Sequence, residues 1–185
     1  LLDQQLLNQA TDNGAVHVKE KVVEVQEQDG LWQIKTERQQ VKTRFLVGAD
    51  GVNSLVRRKT RGAIAKKNLG LTYGYFATGL EDQPTTLKFT AEIPGYIWLF
   101  PRIDHVAVGI GSECMYGGKL KATLDRFLQS YCPNIKITSE YAAMLPWATD
   151  PAFFAELCAG ENWLLIGDAA GHADPLTGEG ILYAL

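Results

Sequence analysis

The chain has 185 residues, 46% of them hydrophobic, with 18 basic and 21 acidic side chains and a formal net charge of −3. That length supports one sizeable core without demanding two, and the lack of a basic surplus speaks against nucleic acid as a partner. Cys114, Cys132 and Cys158 are odd in number and far apart, which points to reduced cytosolic thiols rather than a disulfide framework or a zinc site, and no apolar run approaches the roughly 20 residues that span a bilayer.

The first segment, LLDQQLLNQA, places Leu1, Leu2, Leu6, Leu7 and Ala10 at helical spacing before a stop at Asn13-Gly14. Strand-like runs follow at AVHV (15–18), KVVEVQEQ (21–28) and LWQIKT (31–36), the last two around a turn at Asp29-Gly30, and then at FLVGAD (45–50). Four further strand candidates, LTYGYFATGL, TTLKFTA, YIWLFPR and HVAVGIG, are separated by turn signals at Asp82, Pro94-Gly95 and Asp104, and predict an antiparallel sheet. KLKATLDRFLQSYC then carries Leu120, Leu124, Phe127, Leu128 and Tyr131 on one helical face before Pro133 ends it. NWLLIGDAA reads as a buried strand running into a glycine-bearing loop.

Two of these segments carry chemistry. In FLVGADGVNSLVRR (45–58) an apolar strand ends at Gly48, Asp50-Gly51 make a tight turn, and Asn53-Ser54 open a helix, so backbone donors and one carboxylate converge where open α/β sheets bind ligands. An Asp50 that merely caps its own backbone explains this segment equally well. NWLLIGDAAG repeats the logic: the strand ends at Gly167-Asp168, and Ala169, Ala170 and Gly171 are small enough to admit a bulky ligand against the backbone. Asp168 could accept hydrogen bonds from polyol hydroxyls, while Pro175, Gly178, the carboxylate Glu179 and Gly180 lead into a further helix start with free amides. Strand alternation puts Tyr96, Trp98 and Phe100 on one face and Ile97 and Leu99 on the other; both faces are apolar, and plain burial is the ordinary reading of such a strand.

Taken together, Ala49-Asp50-Gly51-Val52-Asn53-Ser54 and Gly167-Asp168-Ala169-Ala170 resemble the DG and GD motifs of the para-hydroxybenzoate hydroxylase-like flavoproteins. Within that group the run YIWLFPRIDHVAVGIG is similar to the Tyr-x-Trp-x-Phe-Pro and Gly-x-Gly pattern of the geranylgeranyl reductase family, as Tyr96, Trp98, Phe100, Pro101, Gly109 and Gly111. Gly171, where aromatic hydroxylases carry histidine, and Leu176-Thr177-Gly178-Glu179-Gly180-Ile181 in place of their Gly-Gly-Gln-Gly stretch, favour the reductase branch. The resemblance covers nearly all of the chain, from the opening helix to Leu185.

The resemblance implies an α/β (α+β) chain, part of a two-domain FAD-binding fold: residues 1–68 and 146–185 from the FAD domain, residues 69–145 an antiparallel substrate domain. It implies FAD held by Asp50, Gly51, Gly167, Asp168, Ala169, Pro175, Gly178, Glu179 and Gly180, and a substrate wall of Tyr96, Trp98, Phe100 and Pro101. The implied reaction is reduction of carbon-carbon double bonds in a geranylgeranyl-type polyprenyl or lipid substrate, with NAD(P)H or ferredoxin as electron donor. A cytoplasmic location with peripheral membrane contact left open goes with it; no general acid, metal ligand or oligomeric state is assigned. A monooxygenase or halogenase of the same fold is the alternative enzyme, and a non-catalytic fragment serving only as a binding surface is the alternative of another class.

The dinucleotide fingerprint G-x-G-x-x-G is missing from the sequence, and Gly109-Ile110-Gly111 lacks its third glycine. The expectation is therefore the middle and later part of a longer enzyme, holding FAD weakly and inactive by itself. The basic run RRKTRGAIAKK (57–67) reads as a solvated face, with membrane-surface or anionic-cofactor contact as the alternative, His17 and His105 as residues without a second ligand at metal spacing, and His172 as a residue of the flavin loop that either lines the pocket or donates a proton.

Overall fold

The computed structural model describes residues 2–80 and 82–184, so that Leu1 of the first predicted helix and Leu185 at the end of the matched region lie outside the described residues. The chain divides into two compact units, Leu1–Leu46 and Val47–Leu185. No helix among the described residues is long and apolar enough to cross a membrane.

The first unit holds α1 (Leu2–Asp12) and a three-stranded antiparallel sheet of β1 (Val22–Gln28), β2 (Leu31–Thr36) and β3 (Gln40–Thr43), in that order. Asp29 at φ 54° and Gly30 at φ 75° form the predicted hairpin turn, whose twist matches that of the flanking strands. Val25 and Trp32 are buried beneath the sheet. AVHV forms no strand, and Val16 is 87% exposed. Its alternation is strand-like, but a strand exists only where a neighbour offers a ladder, and among the described residues β1 pairs only with β2. The polar QVKT becomes β3 for the converse reason: β2 offers it the ladder, with Ile34 opposite Val41.

The chain passes into the second unit within β4 (Leu46–Gly48), which shares a two-stranded sheet with β10 (Trp163–Leu165). The larger sheet has the order β6-β7-β8-β5-β9, antiparallel throughout, from β5 (Leu69–Thr78), β6 (Thr86–Phe89), β7 (Gly95–Pro101), β8 (Val106–Glu113) and β9 (Lys136–Pro146). All four predicted strands are present. β9 escaped the sequence reading because most of its residues are exposed and it carries no sustained apolar alternation; the free edge of β5 recruits it.

One face of this sheet is covered by a second helix of the unit. After the short α2 (Leu55–Thr60), α3 (Gly117–Tyr131) lays Leu120, Leu124, Phe127 and Leu128 onto Ile97, Leu99, Val106, Val108 and Ile110, and this cluster is the main core. The heptad-like face was legible in sequence, except that Tyr131 lies outside the core, 51% exposed and stacked on Phe127 at 5.0 Å. Because β7 alternates, burying Ile97 and Leu99 under α3 necessarily turns Tyr96, Trp98 and Phe100 to the opposite face, where no helix among the described residues lies over them.

Leu124 is fully buried, so Leu124→Ala should destabilise the protein by about 2–5 kcal/mol, whereas Tyr131→Ala should cost less than about 1 kcal/mol. Urea unfolding of the two variants checks the assignment of the helical face.

Candidate cofactor and substrate site

The two sequence motifs meet at the ends of β4 and β10. The backbone N–H of Ile166 donates to the carbonyl of Gly48 at 3.0 Å. A Cβ at Gly48 would fall 2.7 Å from both Leu165 Cδ2 and Val56 Cβ, so the strand can approach α2 this closely only as glycine. Asp50, at the end of β4, accepts hydrogen bonds from Leu55 N at 2.6 Å and Val56 N at 3.4 Å. Ser54 Oγ accepts from Arg57 N at 2.8 Å, so both side chains satisfy amides at the start of α2. The Asp50 carboxylate thus takes up the capping geometry that its sequence context allowed.

Arg57 is the residue that joins the motifs, and the sequence reading missed it by treating the whole basic run as solvated. Its guanidinium is 4% exposed, donates to the carbonyls of Ala169 at 3.1 Å and Ala170 at 3.3 Å, and pairs with Glu156 at 3.2 Å. Phe153 lies beneath it, 5.5 Å from ring centre to guanidinium carbon. Arg61 also turns inward onto Glu156. Burial and the neighbouring Arg61 work against the charge of Arg57, and Glu156 offsets them. A run of cations preceding a strand-turn-helix signalled only charge; that the first of them points inward follows from its place one turn after Ser54 on the buried side of α2.

Asp168 behaves in the opposite way to Asp50. It sits in a 3-10 turn, Gly167–Ala169, that begins at Gly167 with φ 57°. Among the described residues its half-buried carboxylate accepts no hydrogen bond, and burial holds its pKa above the ordinary carboxylate value. A Cβ at Gly180 would fall 3.4 Å from its Oδ1. A partly desolvated carboxylate without donors suits a ligand that brings hydroxyl groups.

The loop beyond it is organised by Asp174, another residue the sequence reading passed over. Asp174 Oδ1 accepts from Leu176 N at 2.9 Å, Thr177 N at 2.7 Å and Thr177 Oγ1 at 2.9 Å. Its own backbone closes the loop at both ends, Asp174 N to Glu179 O and Gly178 N to Asp174 O, each at 2.8 Å. The amide and hydroxyl of Thr177 hold the Asp174 carboxyl below its ordinary value. Gly178 completes the turn at φ 71°, a conformation a side chain would strain.

Above the uncovered face of the sheet lies a cavity of about 600 Å³. Tyr96, Trp98 and Phe100 line it from β7, with Leu87, Thr72 and Gly111 from neighbouring strands, Leu145 and Trp147 from the end of β9, and Thr177, Gly178 and Glu179 from the loop. The Tyr96 hydroxyl donates to the Thr177 carbonyl, tying strand to loop, and burial raises its pKa with the Asp174 charge adding to the shift. The structure therefore brings Gly178 and Glu179 of the expected cofactor set together with Tyr96, Trp98 and Phe100 of the expected substrate set. Asp50, Gly51, Gly167, Asp168, Ala169, Gly180 and Pro101 do not line this cavity. Pro175 and His172 line a separate cavity of about 240 Å³ with Phe154 and Tyr183. Trp147 and Leu145 were missed because β9 was.

No family model matches the chain. Over 159 residues, 78% of this chain, it is 33% identical to a digeranylgeranylglycerophospholipid reductase of Methanococcus vannielii, and over 161 residues, 79% of this chain, 32% identical to a menaquinone reductase of Mycobacterium tuberculosis; each match covers 39% of the relative. The chain belongs to the geranylgeranyl reductase-like, FAD-dependent family. Among solved structures it is similar to a geranylgeranyl bacteriochlorophyll reductase-like protein of Thermoplasma acidophilum, at TM-score 0.81 and 24% identity over 99% of this chain and 50% of that one. It is also similar to a tryptophan 6-halogenase of Streptomyces toxytricini, at TM-score 0.72 and 19% identity over 98% of this chain and 38% of that one. These likenesses establish the fold, the mixed α/β architecture of FAD-binding flavoproteins that the motifs implied. The chain spans about half or less of the length of the curated relatives it matches.

The residues present fit FAD: an unpartnered carboxylate at Asp168, small side chains at Gly167, Ala169 and Gly180, and a preformed loop over the aromatic wall. Asp168→Asn in the intact flavoprotein should weaken FAD retention by about 1.5–3 kcal/mol, on the order of ten- to a hundredfold, through loss of a charge-assisted hydrogen bond. The same substitution should stabilise the apoprotein at neutral pH. An aspartate whose folded pKa is raised binds its proton more readily in the folded chain, so stability declines as pH rises from the unfolded value near 3.9 through the folded one. Thermal melts of apo Asp168→Asn against the parent should therefore diverge at pH 7 and converge below about pH 3.9. Arg57→Met should cost about 3 kcal/mol by releasing two loop carbonyls and the Glu156 pair, read as a lowered urea midpoint.

Proposed function

We propose that this chain forms the cofactor-facing and substrate-lining part of a FAD-dependent oxidoreductase that reduces carbon-carbon double bonds of a geranylgeranyl-type isoprenoid chain. The observation that carries the reading is the single cavity shared by the β7 aromatic row and the Thr177–Glu179 loop. The relatives are named for a digeranylgeranyl glycerophospholipid and for menaquinone; a long apolar chain is the part of such a molecule that a ring-lined trough accommodates. A lipid substrate would bring the enzyme to the periphery of a membrane.

When bound, FAD supplies the electrons for the reduction, drawn in turn from NAD(P)H or ferredoxin. The chain's own residues bind and orient. Trp98 and Phe100 offer broad, rigid apolar area that excludes water and fixes the chain laterally. Tyr96 holds the Thr177–Glu179 loop against the same wall, so the distance between the loop and the substrate surface is set by one hydrogen bond. Arg57 holds the carbonyls that follow Asp168, and Asp168 presents its carboxylate to the hydroxyl-bearing part of the cofactor.

The halogenase likeness favours a second reading, an enzyme that activates oxygen on the same fold. Anaerobic mixing of the reduced intact flavoprotein with a panel of polyprenyl compounds separates the two. Reoxidation by a geranylgeranyl compound without oxygen is the expected result; reoxidation by oxygen alone overturns the reductase reading. Within the same enzyme, Trp98→Ala should retain FAD and lose polyprenyl turnover at least tenfold through loosened positioning. If Trp98 only packs, the variant should instead be less stable by about 3–5 kcal/mol while its folded fraction turns over at the parental rate.

A further inference from the structure

The middle row of the uncovered sheet face has an unusual composition. Register places Leu87, Trp98, Gly109, Gly74 and Tyr141 side by side across β6, β7, β8, β5 and β9. Two large rings thus flank two adjacent glycines on the central strands. A Cβ at Gly109 would fall 2.4 Å from Trp98 Cζ2 and 2.8 Å from the Tyr141 oxygen, and a Cβ at Gly74 would fall 2.5 Å from that same oxygen. Both rings therefore lie down over the glycine pair from opposite sides and meet above it. The Tyr141 hydroxyl donates to the Val108 carbonyl at 3.5 Å. Phe76 packs on the far side of Tyr141, with ring centres 4.9 Å apart.

Trp98 lines the 600 Å³ cavity and Tyr141 does not; it stands behind Trp98, toward the sheet centre. Without the phenol ring, the space above Gly74 would open, and the indole, which already lies over Gly109, could sink toward β5. We propose that Tyr141 is a positioning residue that props Trp98 and thereby sets the width of the trough, making it selective for a single linear apolar chain over branched or ring-bearing ones. This rests on the reading of the cavity as the substrate channel, although the prop itself is a statement about Trp98 alone. Gly109 is the opposite lever. An added methyl there must lift the indole away from the sheet and into the trough, narrowing it.

The test uses the intact flavoprotein labelled with 5-fluorotryptophan, whose fluorine resonances include those of Trp32, Trp98, Trp147 and Trp163, the Trp98 signal being assigned by its loss in Trp98→Phe. Tyr141→Ala should shift or broaden the Trp98 resonance and leave those of Trp32, Trp147 and Trp163 in place. Tyr141→Phe, which keeps the bulk and removes only the oxygen, should shift it less. An unmoved Trp98 resonance in Tyr141→Ala overturns the proposal, whatever the substrate proves to be. The second measurement is the ratio of kcat/KM for a linear geranylgeranyl compound to that for a chain of the same length carrying bulky branches. Tyr141→Ala should lower this ratio about tenfold, and Gly109→Ala should raise it while slowing both substrates. A displaced indole with an unchanged ratio overturns the specificity role. If the parent enzyme turns over no polyprenyl compound, the proposed function fails, and the fluorine spectra still decide whether Tyr141 props Trp98. If Gly109→Ala does not fold, Tyr141→Ala carries both measurements.

Discussion

Everything at the candidate site depends on a sheet that buries the central strands of one face under α3 and, among the described residues, leaves the other face without a helix. Leu99, Val108 and Ile110 reach 0–1% exposure beneath α3, and the pleat then commits their alternate neighbours to the opposite side. A side chain cannot be moved from one face to the other without slipping the register of the whole strand. The aromatic row of β7 is consequently a by-product of the core, held as rigidly as the core itself. That is the kind of support a binding wall needs, because the positions of its rings are fixed by packing that the ligand never touches.

The two aspartates show how far local chemistry can separate residues that read alike. Each ends an apolar strand and precedes a run of small residues. Asp50 is followed by a helix whose first amides fall within its reach, so its charge is absorbed by the backbone. Asp168 sits within a 3-10 turn after which the amides bond to the turn's own carbonyls, Ala170 N to Gly167 O and Gly171 N to Asp168 O, which leaves the carboxylate unserved among the described residues. In a folded protein a partly buried acceptor without a donor is a standing cost, and it persists where something else is expected to meet it. Arg57 makes that arrangement possible by fixing the next two carbonyls from the other motif.

Much of this was legible in the sequence, and what was not has identifiable causes. The face of α3, the hairpin at Asp29-Gly30, the alternation of β7 and the pairing of the two flavin-type motifs all follow from periodicity and turn chemistry, which act over a few residues. β9, Trp147 and Tyr141 were invisible because an exposed edge strand is defined by its neighbour rather than by its own pattern. AVHV failed for the same reason in reverse, a strand pattern with no neighbour. Arg57 and Arg61 were misread because a count of charges carries no direction, and the acceptors that turn them inward, Glu156 and the 169–170 carbonyls, are about a hundred positions away. Asp174 is a different case: an Asp-Pro-x-Thr-Gly run is a recognisable turn, yet the attention drawn by the glycines around it left the residue that organises them unremarked.

That turn has an entropic consequence. A loop of glycine and threonine free in solution samples many backbone states, and each residue fixed costs roughly 1–2 kcal/mol of conformational entropy at room temperature. In this chain Asp174 supplies most of the fixed conformation, accepting three bonds on one carboxylate oxygen and making two through its own peptide groups, while Thr177 Oγ1, which accepts from Glu179 N, and the Tyr96 hydroxyl add to it. The loop therefore arrives at any ligand already ordered, and the ordering term belongs to folding instead of to association. Weakening that carboxylate would leave the walls of the 600 Å³ cavity chemically intact while making the loop's rigidity a charge against affinity, so a residue that does not line that cavity governs how tightly it can hold a ligand.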